Sequence, residues 1–91
     1  MQLEIVSPEA QLFSGEVQSV SVPGTSGSFQ ILNNHAPIVS TLVAGRVKIQ
    51  GTISLDKAHK SKFTQAGNMA YLDIESGAVE LSDNKVILLT D

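Results

Sequence analysis

Side chains in this chain alternate with a period of two. In GRVKIQGTISL, Val47, Ile49, Ile53 and Leu55 fall on one phase, with Gly51 among them. Arg46, Lys48, Gln50, Thr52 and Ser54 fall on the other. Successive side chains of a strand point to opposite faces, so this pattern describes a strand buried on one side. MAYLDIESGAVELS repeats it, with Ala70, Leu72 and Ile74 on one phase, then Val79 and Leu81. LEIV and EVQSVSV also read as strands. No window of eleven or more residues carries a helical apolar stripe. Turn signals separate the runs. Asp83-Asn84 precedes KVILL, Pro23-Gly24 and Ser26-Gly27 bracket a loop, and Ser14-Gly15 suggests a bulge or tight bend. About eight to ten short strands imply an all-β fold, a flattened β-sandwich or barrel.

Ninety-one residues suit a single domain, 1–91. A hydrophobic content of 42% is enough for a core and too much for a disordered chain. Charged residues make up 16% and the net charge is -3, which disfavours nucleic acid, because phosphate binding needs a broad basic face. The chain has no cysteine, hence neither a disulfide framework nor a thiolate metal site. MQLEIVSPEA places Glu4 where a signal peptide would carry positive charge, and the longest aliphatic run, Val86 to Leu89, is far below the ~20 residues of a membrane span.

Candidate chemistry is sparse. His35 and His59 lie far apart with no local ligand spacing, so no metal site is expected. Ser54-x-x-Lys57 and Ser82-Asp83-Asn84 match fragments of penicillin-recognising enzymes, but neither is expected to open a helix, and Asp83-Asn84 suits a hairpin turn. Neither a phosphate loop nor a G-x-S-x-G elbow occurs. No catalytic residue and no cofactor is expected. KAHKSK, Lys57 to Lys62, holds three of the six cationic residues and reads as a solvated hairpin tip rather than a contact for acidic lipid or an acidic subunit. In NNHAP, Asn33-Asn34 suits a turn, and Pro37 confines Ala36 to extended geometry that launches IVSTL. His35 is then a turn residue whose ring caps a backbone group or faces a partner.

V-S-P-E near the start, L-F-S-G-E-V, the run G-x-x-G-x-F-x-I-L-x-x-H-A-P and the closing SGAVELSDNKVILLTD occur here in order. Together they resemble the N-terminal β-domain of the epsilon subunit of the rotary F-type ATP synthase, called delta in mitochondria. The similarity covers residues 3–49 and 73–91. It implies a ten-stranded sandwich without catalysis of its own, a monomer in isolation. Such a domain sits peripherally at the foot of the central stalk, on the cytoplasmic face of a bacterial inner membrane or the matrix or stromal face of an organelle. It would link the gamma subunit to the c ring and couple proton or sodium-ion flow to ATP synthesis. The resemblance places Ser7, His35 and Ser40 toward gamma, and the loop from Gly24 to Leu32, with Gly27, Ser28, Phe29 and Gln30, toward the c ring. Phe29 is either an anchor on that loop or ordinary core.

Departures from the family pattern are informative. Ser28 stands where many members carry an acidic residue, and Gln30 where they often have glycine. Residues 50–72 exceed the usual connection by about a dozen positions, and the continuing phase of Ile53 and Leu55 predicts an extended hairpin over 46–75, tipped near Lys57–Ser61. The C-terminal helical hairpin of longer members, with its inhibitory and ATP-binding roles, has no counterpart in these residues. A free-standing β-sandwich module for a small ligand is the alternative. Four aromatic residues and no tryptophan furnish a poor sugar platform.

Overall fold

The computed structural model describes residues 1–91 and contains ten strands. They are β1 (Gln2–Val6), β2 (Gln11–Glu16), β3 (Ser19–Gly24), β4 (Gly27–Leu32) and β5 (Ile38–Leu42), then β6 (Gly45–Gln50), β7 (Phe63–Ala66), β8 (Met69–Ile74), β9 (Gly77–Ser82) and β10 (Lys85–Thr90). The hydrogen-bonded path runs β2-β1-β10-β9-β5-β3-β6-β8-β7, with β4 on β3. It divides into two five-stranded layers. Layer one is β2-β1-β10-β9-β5 and layer two is β4-β3-β6-β8-β7. They meet in the path where Gly24 of β3 pairs with Leu42 of β5. Only β1 and β10 run parallel.

The alternating apolar phase points inward throughout. Leu3, Ile5, Val20, Ile31, Val47, Ile49, Ala70, Val86 and Leu88 are completely buried, and they belong to one core cluster of 20 residues drawn from both layers. Fully burying a side chain of this kind contributes about 1.5–3 kcal/mol relative to exposure. The Asp83-Asn84 turn forms as expected. Its two central residues have φ of 50° and 58°, both left-handed, as the twist of a two-residue hairpin requires.

Three local expectations are corrected. Gly24 to Leu32 is not a loop: Gly24 pairs with Gly27 across a two-residue turn, and β4 continues as the edge strand of layer two. Ser14-Gly15 is not a bulge either. Ser14 and Gly15 pair regularly with Glu4 and Leu3, and the register breaks instead between Ile5 and Val6, opposite Phe13 and Gln11.

The extended hairpin over 46–75 does not form. β6 and β8 pair only from Gly45–Ile74 to Gln50–Met69. At Gly51 the backbone takes φ 153°, and its N–H bonds to the Asn68 carbonyl at 2.8 Å. Residues 51–62 then leave the sheet as a strap ending in one 3₁₀ turn, Lys60–Lys62, and β7 returns along the far side of β8. Ile53 and Leu55 keep their apolar role, but they pack half-buried against the core from an irregular segment. Ser54 and Asp56 lie beside Gln11–Ser14 of β2, so the strap covers the side where β2 and β7 end their layers. A protruding two-stranded ribbon would have left both side chains in water, and such ribbons are marginal alone. Lys57, Lys60 and Lys62 are solvated, though not on a hairpin tip.

The β8–β9 corner brings Gly77 tightly against β10, where an added Cβ would collide with the Leu89 carbonyl oxygen. Since the obstacle is backbone, neither rotamer nor side-chain shift relieves it. Gly77→Ala is expected to lose about 1–3 kcal/mol of unfolding free energy in urea titration, as overpacked sites do.

Candidate docking face

Layer one turns an unusual outer surface to solvent. On β5 the phase of Ile38, Ser40 and Leu42 faces inward, so Val39 and Thr41 face out. The ladders align Val39 with Glu80 and Ile87, and Thr41 with Ala78 and Leu89, and the latter row continues to Val6 on β1. Val39 is 79% exposed and Leu89 50%. With Ala78 and Ile87 they line a shallow, mostly apolar depression of about 140 Å³. Scattered apolar surface is ordinary, but apolar side chains gathered on three neighbouring strands, here interrupted by Glu80 alone, are a usual mark of an interaction site.

Charge interrupts this strip and borders it. Glu80 sits between Val39 and Ile87 and forms no ion pair within the chain. Lys85 pairs with Glu4 at 3.2 Å on the β1–β10 side. The outer surface of layer two is mostly polar by contrast, with Leu32 of β4 its exposed large apolar side chain. Arg46 donates to Asp73 at 2.9 and 3.3 Å, and its guanidinium lies 5.4 Å from the centre of the Tyr71 ring.

The residues expected to face gamma surround layer one without clustering. Ser7 closes the turn after β1. Its hydroxyl donates to the Ala10 carbonyl at 3.2 Å and accepts from the Ala10 N–H, while its flank adjoins Val6 and Leu89. Ser40 is half-buried on the inward phase and donates to the Thr41 carbonyl, so Val39 is the side chain that β5 presents outward. His35 is exposed at the opposite end from Ser7, near the Asp83-Asn84 turn. Its Nδ1 lies 2.7 Å from the Ala36 carbonyl oxygen, which can only accept, so Nδ1 carries the proton and Nε2 of the neutral ring is the acceptor.

The four residues expected toward the c ring share the β4 edge of layer two. Gly27, Ser28 and Gln30 are exposed. Gln30 Nε2 donates to Ser19 Oγ at 3.4 Å, and the Ser19 hydroxyl donates to Gln50 Oε1 at 3.2 Å. Phe29 is half-buried against the core, its ring so close to Gly24 that a Cβ there would come within 2.8 Å of it. It therefore packs as core from an edge strand.

Val39, Ile87 and Leu89 are the residues that sequence reasoning missed. The signal was present. KVILL is apolar on both phases, and so is the Ile38-Val39 start of IVSTL, although a strand of a two-layer sandwich needs only one apolar phase.

At the end near Ser7, a cavity of about 370 Å³ opens between Glu9, Lys62, Asp73, Glu75 and Asp91. The Arg46 hydrogen bond holds Asp73 below its ordinary 3.8, and Asp91 is held below it chiefly by the Glu75 N–H, then by the Thr90 hydroxyl. A carboxylate with a depressed folded pKa contributes stability above its unfolded pKa and loses it as pH falls through the folded one. Carboxyl NMR titration is expected to place both midpoints below 3.8. Below that pH the melting temperature should drop, and less steeply in Asp73→Asn.

The sequence model of the ATP synthase delta/epsilon chain β-sandwich domain matches residues 1–91. An ATP synthase epsilon chain of Leptospira interrogans is 41% identical over 91 residues, which is 100% of this chain and 61% of that one. One from Chlorobium limicola is 41% identical over 90 residues, 99% of this chain and 88% of its own. The chain thus spans about three-fifths of the Leptospira relative and most of the Chlorobium one. Among solved structures, the central stalk and c-ring of Tetrahymena thermophila mitochondrial ATP synthase contains a chain of similar fold. Its TM-score is 0.75 at 14% identity, covering 98% of this chain and 61% of that one.

Proposed function

Because the chain belongs to the delta/epsilon family of ATP synthase chains, we propose that it is a non-catalytic rotor component that joins the gamma subunit to the c ring. In that role it transmits torque and couples ion flow to ATP synthesis. The observation that carries this reading is the apolar outer strip of layer one. A sandwich that worked alone would gain nothing from Val39, Ile87 and Leu89 in water, whereas a docked one buries them. Gamma is the occupant assigned to this strip, with Ser7 and His35 at its two ends and Ser40 behind it. The unpaired Glu80 invites a cationic side chain from gamma, which would favour correct register and faster encounter.

The c ring is assigned to the β4 edge, through Ser28 and Gln30. With Ser28 in place of an acidic residue, that contact is a hydroxyl hydrogen bond rather than an ion pair, and it is correspondingly insensitive to salt. The chain works peripherally on the cytoplasmic face of the membrane, or its organellar equivalent. No helix is long and apolar enough to cross a membrane.

Calorimetry against purified gamma subunit tests the assignment. Val39→Asp places a charge on the most exposed apolar side chain of the strip without touching the core. Its dissociation constant is expected to rise at least about tenfold, roughly 1.4 kcal/mol, with the melting temperature unchanged. Wild-type affinity in this variant would remove the strip from the gamma contact.

A further inference from the structure

The Asn33–Pro37 segment carries the chain from β4 in layer two to β5 in layer one. Within it the His35 N–H closes a turn onto the Leu32 carbonyl at 3.1 Å, and of the two central residues only Asn34 is left-handed, at φ 63°. That is the pattern of a type II turn, with asparagine in the position where glycine is otherwise favoured. The turn's link to the rest of the protein comes from fifty residues further along. Asn84 Oδ1 accepts the Asn34 N–H at 2.8 Å, and Asn84 Nδ2 donates to Asn33 Oδ1 at 2.8 Å. One side-chain amide therefore uses its acceptor and its donor on successive residues of a single turn. Asn84 is itself fixed by the β9–β10 hairpin, and its carbonyl accepts the Gln2 N–H at 3.1 Å, which ties the start of β1 to the same corner.

We infer that Asn84 is a positioning residue for the partner contact, holding the Leu32–His35 turn so that His35 stands at the end of the docking strip. This rests on the reading of His35 as gamma-facing. The two amide bonds are exposed, so water competes for them and global stability depends on them little. What they select is one turn conformation among several open to an Asn-Asn sequence. A loosened turn would populate the docking-competent arrangement only part of the time, and the apparent affinity falls by that fraction.

Asn84→Gly is the clean variant, because glycine accepts φ near 58° and only the amide is lost. Amide hydrogen exchange on the chain and calorimetry with purified gamma subunit give two readouts. The expected result is exchange of the Asn34 N–H faster by about tenfold and a dissociation constant raised by about three- to tenfold. The β9 and β10 ladder amides should be unchanged. Asn84→Asp, which keeps the acceptor and loses the donor, should fall between. Unchanged exchange at Asn34 overturns the inference. So does a general rise across β9 and β10, which would make Asn84 a hairpin-stability residue only. His35→Ala separates the two readings. If it leaves affinity unchanged, the partner-facing reading of His35 fails and takes the inference with it. If it weakens binding while Asn84→Gly does not, the inference alone fails.

Discussion

All ten strands contribute apolar side chains to one shared core, most of them from a single phase, and the rest of the molecule follows from that constraint. Neither layer is stable alone, because a single sheet with one apolar face leaves that face wet. The layers close over each other, and the path of hydrogen bonds is continuous through the Gly24–Leu42 pair. Twenty buried residues, drawn from all ten strands together with Met1 and Val17, supply the interior. No buried side-chain polar atom lacks a partner. The polar network of buried Ser19, half-buried Gln50 and exposed Gln30 lies on the outer side of layer two.

Once one phase is committed to the core, the other is free to serve something else, and the two layers use that freedom differently. Layer two covers the outside of β6 and β8 with Lys48, the Arg46–Asp73 pair and Tyr71, a surface at home in water, and leaves only Leu32 of β4 as a large exposed apolar side chain. Layer one carries Val39, Ala78, Ile87 and Leu89, a surface at home against another protein. Such a face raises the hydrophobic cost of the isolated chain, and the absence of a structural reason for it within the chain is what gives it functional weight. The ends of the same layer are shaped by turns rather than strands. Ser7 is spent on closing its own turn, and His35 is held at one remove by Asn84.

Much of this was legible in the sequence. The inward residues of β6, β8 and β9 were identified by alternation, and the Asp83-Asn84 turn by its residue types. Both signals are local, since the period of two and the left-handed tolerance of Asn belong to short segments. The segment after Gln50 misled the same logic. Ile53 and Leu55 keep the phase of β6 and are apolar for a real reason, yet they meet the core from a strap and not from a strand. A pattern over a few residues cannot tell whether an apolar side chain meets the core from a strand or from a strap laid across an opening. Gly15 shows a similar limit, because a glycine that suits a bulge equally suits a flat strand paired with Leu3.

The sequence by itself determined the all-β class, the inward phase of most strands, the hairpin at Asp83-Asn84 and the family, through ordered motifs. Tertiary structure alone decided which strands became neighbours and where β4 and the strap went. It also decided which outward residues formed a common face. Val39, Ile87 and Leu89 become one strip only because β5, β9 and β10 are adjacent, and Asn84 reaches Asn33 and Asn34 only because two turns meet at one end of the sandwich. Short-range chemistry sets the direction of each side chain, whereas adjacency between strands distant in sequence is fixed by how two layers can share one core.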